Sequence, residues 1–97
     1  MSKTWIPQRD YRGTGSEVQA ERIEDKEKVL SFLKSFEPKA VAAGHFEDEI
    51  TGDVVNTDWL SYSSGSFSWT TADIYHFEKY DLELKPEFVE YALAHSA

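Results

Sequence analysis

Hydrophobic side chains recur along this chain with two different periods, and the change of period marks the elements. From Lys26 to Phe36, the residues Val29, Leu30, Leu33 and Phe36 fall on one stripe at helical spacing, and Phe32 widens it. Glu24 or Asp25 stands where a cap favours the positive end of the helix dipole, and Pro38 ends the run. Downstream the period shortens to two. The runs Val41–Ile50 and Val54–Tyr62 flank Thr51-Gly52-Asp53, where Gly52 can take the positive φ of a tight hairpin. A second turn, Ser63-Ser64-Gly65, separates Trp59–Tyr62 from Ser66–Trp69. Phe67 and Trp69 alternate there with Ser66 and Ser68, so one strand face is aromatic and the other carries hydroxyls. The three runs predict an antiparallel meander.

Thr70, Thr71 and Asp73 are good N-cap residues for a helix through Ile74, Tyr75, Phe77, Glu78 and Tyr80. Asp81–Lys85 reads as a short extended link, and Pro86 fits the first turn of a last helix carrying Phe88, Val89, Ala92 and Leu93. Met1–Gly15 has no sustained period. Trp5 and Ile6 are apolar enough to dock on the body, whereas Arg9–Ser16 reads as loop or mobile arm. Ser16–Ile23 fits a capped helix or a short strand equally well. The expected fold is α+β: a small antiparallel sheet of three strands, extendable to four, with an N-terminal helix and two short C-terminal helices packed on one face. Residues 1–15 form a flexible or docked arm, and residues 16–97 a single domain.

Composition narrows the function classes. Ninety-seven residues with 40 % hydrophobic and 14 % aromatic content suit one folded domain with a modest core. Without cysteine there is no disulfide framework, thiolate nucleophile or finger-type zinc site. No apolar run is long enough for a signal peptide or a membrane span, which leads to the expectation of a soluble, cytoplasmic protein. The opening Met1 and the close of the chain just past a helical pattern suggest a whole small gene product. Residues 1–39 hold eight Lys/Arg against seven Asp/Glu, a net of +1, whereas residues 40–97 hold two against eleven, a net of −9. Phosphates and anionic membranes repel such a chain, so neither nucleic acid nor a membrane is an expected direct partner.

The sharpest charge feature is the stretch Ala40–Glu78. It has no lysine or arginine, seven acids (Glu47, Asp48, Glu49, Asp53, Asp58, Asp73, Glu78) and seven aromatics. An ordinary solvated surface mixes both signs, so the leading expectation is an acidic protein-interaction module that occludes a basic protein partner. Its contact residues are Asp48, Glu49, Asp53 and Asp58, with Trp59 or Tyr62 as aromatic anchors. Trp59 and Tyr62 cannot share a face of a regular strand, so at least one is a surface residue unless a bulge intervenes. The Thr-Gly hairpin, the strand Phe67-Ser68-Trp69-Thr70 and the segment Ile74–Tyr80 resemble, in size, charge and texture, small bacterial proteins of which some are immunity or inhibitor partners of toxins.

Two other readings compete. His45, Asp73, His76 and Glu78 could line a pocket beside the aromatics, with Asp73 orienting His76 three residues on as a base. The simpler view is that Asp73 caps a helix and His76 sits among aromatics. His45, Glu47 and Glu49 would share a strand face suited to a divalent cation, although a solvated acidic face opposite buried Phe46 and Ile50 accounts for the same pattern. Asp48–Asp53 lacks the ligand alternation and central glycine of an EF-hand. No metal, cofactor or catalytic residue is therefore assigned. The third reading is a self-associating structural domain built on exposed aromatics.

Overall fold

The computed structural model describes residues 4–8, 11–12, 24–42 and 44–95, so the Ser16–Ile23 segment lies outside it. The elements are β1 (Thr4–Trp5), α1 (Lys26–Lys34), β2 (Ala40–Ala42), β3 (Phe46–Glu47), β4 (Val54–Val55), β5 (Trp59–Ser64), β6 (Phe67–Thr70), α2 (Thr71–Tyr80) and α3 (Pro86–His95). They form an α+β fold with a four-stranded sheet in the order β1-β6-β5-β2 and a two-stranded sheet β3-β4.

The stripe predicted for the first helix buries Val29, Leu30, Phe32 and Leu33 on α1. The helix stops at Lys34, and the Ser35 amide bonds back to the Phe32 carbonyl at 3.2 Å, yet Phe36 still reaches the core. Phe36 meets Trp69 edge-on at 5.5 Å between ring centroids, and Phe88 of α3 lies 5.7 Å from the same indole. Thus α1 and α3 cover the aromatic face of β6. Tyr62 pairs with Trp69 across the strands and stacks on it at 6.2 Å, so it belongs to the same face.

Three expectations are corrected. First, the sheet is mixed and not purely antiparallel, because β1 adds a parallel edge strand to β6. Trp5 and Ile6 dock as expected, and Tyr11, read from sequence as part of a mobile arm, is only 1 % exposed. Second, the helix positions differ in detail, because α2 follows β6 with no linking residue. It runs straight on from β6, where Thr71 Oγ1 accepts the Leu60 amide, and buries Ile74 and Phe77 with residues of α1. Third, the hairpin of Val41–Ile50 with Val54–Tyr62 is broken in two. Its register survives the break: six residues forward from Ala40 to Phe46 match six back from Ser61 to Val55. Gly44, at φ 141°, interrupts one strand, and the Thr57 amide turns back to the Val55 carbonyl at 2.9 Å in the other. The tip can therefore fold out of the main sheet as β3-β4.

The β1 edge is closed by Asp81–Lys85. Backbone bonds join Gln8 to Glu83 and Lys85 to Ile6, each at 2.9 Å, and Lys85 Nζ donates to the carbonyls of Trp5 (2.8 Å) and Pro7 (3.0 Å). No helix among the described residues is long and apolar enough to cross a membrane.

The β5–β6 turn gives a direct test of this packing. Gly65 has φ 58°, and a Cβ there would lie 2.8 Å from Tyr91 Oη, which is hydrogen-bonded to Ser64 Oγ. Gly65→Ala is expected to lose about 1–2 kcal/mol in urea unfolding, with a smaller loss in a Tyr91→Phe background where the close oxygen is gone. Equal losses in both backgrounds would mean that the Tyr91 contact is not the cause.

Candidate functional site

Helix α2 organises the polar half of the molecule. Thr70 caps it in extended conformation (φ −130°), and Asp73 closes a capping box by accepting the Thr70 amide at 2.9 Å. The Asp73 carboxylate does more than cap. It accepts Trp5 Nε1–H and Tyr11 O–H, each at 2.6 Å, and has no exposed surface. Burial pushes its carboxyl above the usual range, although Tyr11, Trp5 and Thr70 pull the other way. Burial, followed by the charge of Asp73, also drives the Tyr11 phenol far above its ordinary value, so Tyr11 stays a hydroxyl donor.

One turn on, His76 is wholly buried. Its Nε2 accepts the Glu49 amide at 2.9 Å, so the ring proton sits on Nδ1, which donates to the Ala72 carbonyl at 2.7 Å. Tyr11, Tyr75, Tyr80 and Phe46 surround the ring at 4.8 to 6.4 Å between centroids. Both nitrogens are engaged, and Asp73 bonds the hydroxyl of Tyr11, whose ring packs against His76. This arrangement offers no lone pair for a substrate proton or a metal.

Asp48 locks the hairpin tip onto the same helix. Its Oδ1 accepts the amides of Ile50 (2.8 Å) and Thr51 (2.9 Å), and its Oδ2 accepts the hydroxyls of Tyr75 (2.6 Å) and Tyr80 (2.5 Å). Lys79 approaches Oδ2 at 3.5 Å and rests against the rings of Tyr75 and Tyr80. Burial alone would raise the Asp48 carboxyl, but the four hydrogen bonds outweigh it and hold the group well below the carboxylate range. The bond from Tyr75 in turn raises Lys79.

The proposed contact residues therefore separate. Asp48 is 1 % exposed and points inward, which removes it from any docking surface. Tyr62 is tied to the core, whereas Trp59 lies on the opposite strand face, half-buried and edge-on to Phe46 at 5.8 Å. Glu49 is half-buried, with its amide committed to His76. Asp53 and Asp58 are exposed, as are Glu47 and Val54 beside them. The alternative pocket does not assemble as a group. Asp73 and His76 are buried and satisfied, His45 is exposed, and Glu78 is an exposed partner of Lys34 at 3.1 Å. No group of three or more His, Asp or Glu is placed to hold a metal ion among the described residues. Tyr11, Tyr75 and Tyr80 were missed by sequence reasoning. A signal was present, because an acid-rich segment without cations leaves tyrosine hydroxyls as the available donors for its buried carboxylates.

The chain matches no family model, no curated protein and no solved structure, so its own geometry carries the functional argument.

Asp48→Asn keeps the shape but removes the charge that four donors address, and is expected to lose about 1.5–3 kcal/mol at pH 7. The sign of its pH dependence follows from the lowered folded value. Stabilisation is present above the ordinary carboxylate range, near 4, and fades as pH falls towards the folded value. The gap in urea midpoint between wild type and Asp48→Asn should hence narrow from pH 7 to pH 3. A gap independent of pH would show that the charge is not what the tyrosines stabilise.

Proposed function

We propose that the chain is an acidic protein-interaction module whose docking element is the hairpin β3-β4, taking a basic protein partner by occlusion in the manner of an inhibitor or immunity protein. The observation that carries this reading is the division of the acids. Asp48 and Asp73 are spent inside the fold, while Glu47 and Asp53 on the hairpin, and Asp58 just past it, stand exposed on a tip held to α2 by hydrogen bonds of buried Asp48 and His76. A tip fixed in advance loses little conformational entropy on docking, and charges of one sign accelerate encounter with a cationic surface. Val54, 53 % exposed, and half-buried Trp59 supply apolar contact beside the carboxylates. The catalytic reading finds less support, because both nitrogens of His76 and both oxygens of Asp73 already have partners.

The experiment starts with capture of basic proteins on the immobilised chain and release by a salt ramp. Association of the captured partner is then followed by stopped flow. Glu47→Gln, Asp53→Asn and Asp58→Asn together should slow association roughly tenfold at low salt and flatten its salt dependence. A control triple of exposed acids elsewhere, Glu24→Gln, Glu87→Gln and Glu90→Gln, changes net charge equally and should have a smaller effect. Equal slowing by the two triples would assign the effect to net charge and remove the hairpin from the binding surface.

A further inference from the structure

The hairpin tip meets α2 through two catches, and each depends on a group that can take a proton. One is the bond from the Glu49 amide to His76 Nε2 at 2.9 Å. The other is Asp48, whose Oδ2 receives Tyr75, Tyr80 and Lys79 of α2. The hydrogen bonds to Asp48 hold its carboxyl well below the carboxylate range, so that catch stays closed in mild acid. His76 works the other way, as an acceptor that has to stay neutral. An imidazolium carries a proton on both nitrogens and accepts nothing. With Nδ1–H already given to the Ala72 carbonyl at 2.7 Å, a second proton on Nε2 would face the Glu49 N–H. Turning the ring over restores no acceptor, since the charged ring has none in either orientation. The closed tip accepts only the neutral ring.

We propose that the β3-β4 tip is a proton-controlled latch. Proton uptake by His76 breaks its bond to Glu49 and loosens the tip from α2, while the main sheet stays folded. The fold supplies the joint. Gly44, at φ 141°, and the Thr57 turn separate the tip from β2 and β5, so it can move without disturbing their ladder. Charged and titratable groups approach the ring from three pieces of chain. Asp73, Tyr75, Lys79 and Tyr80 lie on its own helix, Asp48 and Glu49 on the tip, and Tyr11 with Arg12 on the arm. Helix α1 turns Lys26 and Lys34 to Asp81 and Glu78 instead, and His45 is exposed. These groups set the pH at which the ring takes a proton, not which form the closed tip accepts. The closed tip binds one proton fewer than the loosened tip, so closure is favoured at high pH and weakens as pH falls. The window is that in which a freed, solvated imidazole charges, about pH 7.5 to about pH 5. The latch is a property of the fold and does not rest on the docking role proposed for the hairpin.

Amide hydrogen exchange read by NMR tests the latch, once rates are corrected for the intrinsic effect of pH. From about pH 7.5 to about pH 5 the Glu49 amide is expected to lose at least roughly tenfold in protection. The amide of Leu33, wholly buried on α1, should keep its protection and so shows that the core stays closed. Imidazole nitrogen shifts followed in the same titration should show the Nδ1–H form of His76 at high pH, and its charging in step with the loss at Glu49. His76→Gln puts an amide oxygen, which does not titrate in this range, within reach of the Glu49 N–H and is expected to abolish the pH dependence there. The proposal is overturned by Glu49 protection that does not change across the range. It is equally overturned by a loss at Glu49 that precedes charging of His76, that Leu33 shares, or that persists in His76→Gln. The imidazole signal and the Leu33 reference come from the unsubstituted chain, so the test stands even where the variant fails to fold.

Discussion

One buried carboxylate, Asp73, holds the sheet, the helix that follows it and the start of the chain in a single arrangement. It caps α2 through Thr70, fixes the indole of β1 and receives the hydroxyl of Tyr11. The donors come from three pieces of chain, and neither the Trp5 indole nor the Tyr11 hydroxyl would be ordered by local preference alone. A two-residue strand such as β1 has little stability of its own, so its position depends on this acceptor and on the Lys85 ammonium beneath it. The burial of Asp73 is unfavourable for its charge, and four donors offset that penalty.

Asp48 repeats the same logic with the opposite balance. Its hydrogen bonds outweigh its burial, because two backbone amides and two tyrosine hydroxyls converge on it at short range. Between the two carboxylates, His76 fixes a third point by accepting an amide from the hairpin. The outcome is a polar layer in which α2 bears acceptors for the arm on one side and, for the hairpin, an imidazole and two hydroxyls on the other. The tip is held through buried Asp48 and His76, so the exposed Glu47, Asp53 and Asp58 can vary without loosening it.

Local rules served the sequence well wherever a single element decided the outcome. The stripe Val29–Leu33, the Phe67/Trp69 alternation, the Thr70 cap and Pro86 at the start of α3 all appear where their spacing puts them. What period and capping do not encode is which buried polar groups meet. Asp48 looks like any other acid of the cation-free stretch until Tyr75 and Tyr80 are seen to face it from another element. Tyr11 lies in a glycine-flanked, aperiodic segment and is buried only because a carboxylate sixty-two positions away needs a donor. The break in the long hairpin was equally hidden, since Gly44 and Thr57 interrupt the ladder without changing its register. Asp53 and Asp58 stand exposed, whereas Asp48 and Tyr62 were drawn inward by hydrogen bonding and stacking.

The parallel pairing of β1 with β6 also sets an order of events during synthesis. Trp5 leaves the ribosome early, but its strand partner Ser68 and its acceptor Asp73 are made more than sixty residues later, and Lys85 later still. The helix α1 and the local hairpins can form as they emerge, whereas the first strand must wait with an unpaired tryptophan until β6, Asp73 and Lys85 have been translated. Closure of the sheet is thus a long-range step, and the nascent chain carries an uncovered indole while the intervening residues are made. That interval is when the growing polypeptide is most open to capture by a chaperone or by a neighbouring copy.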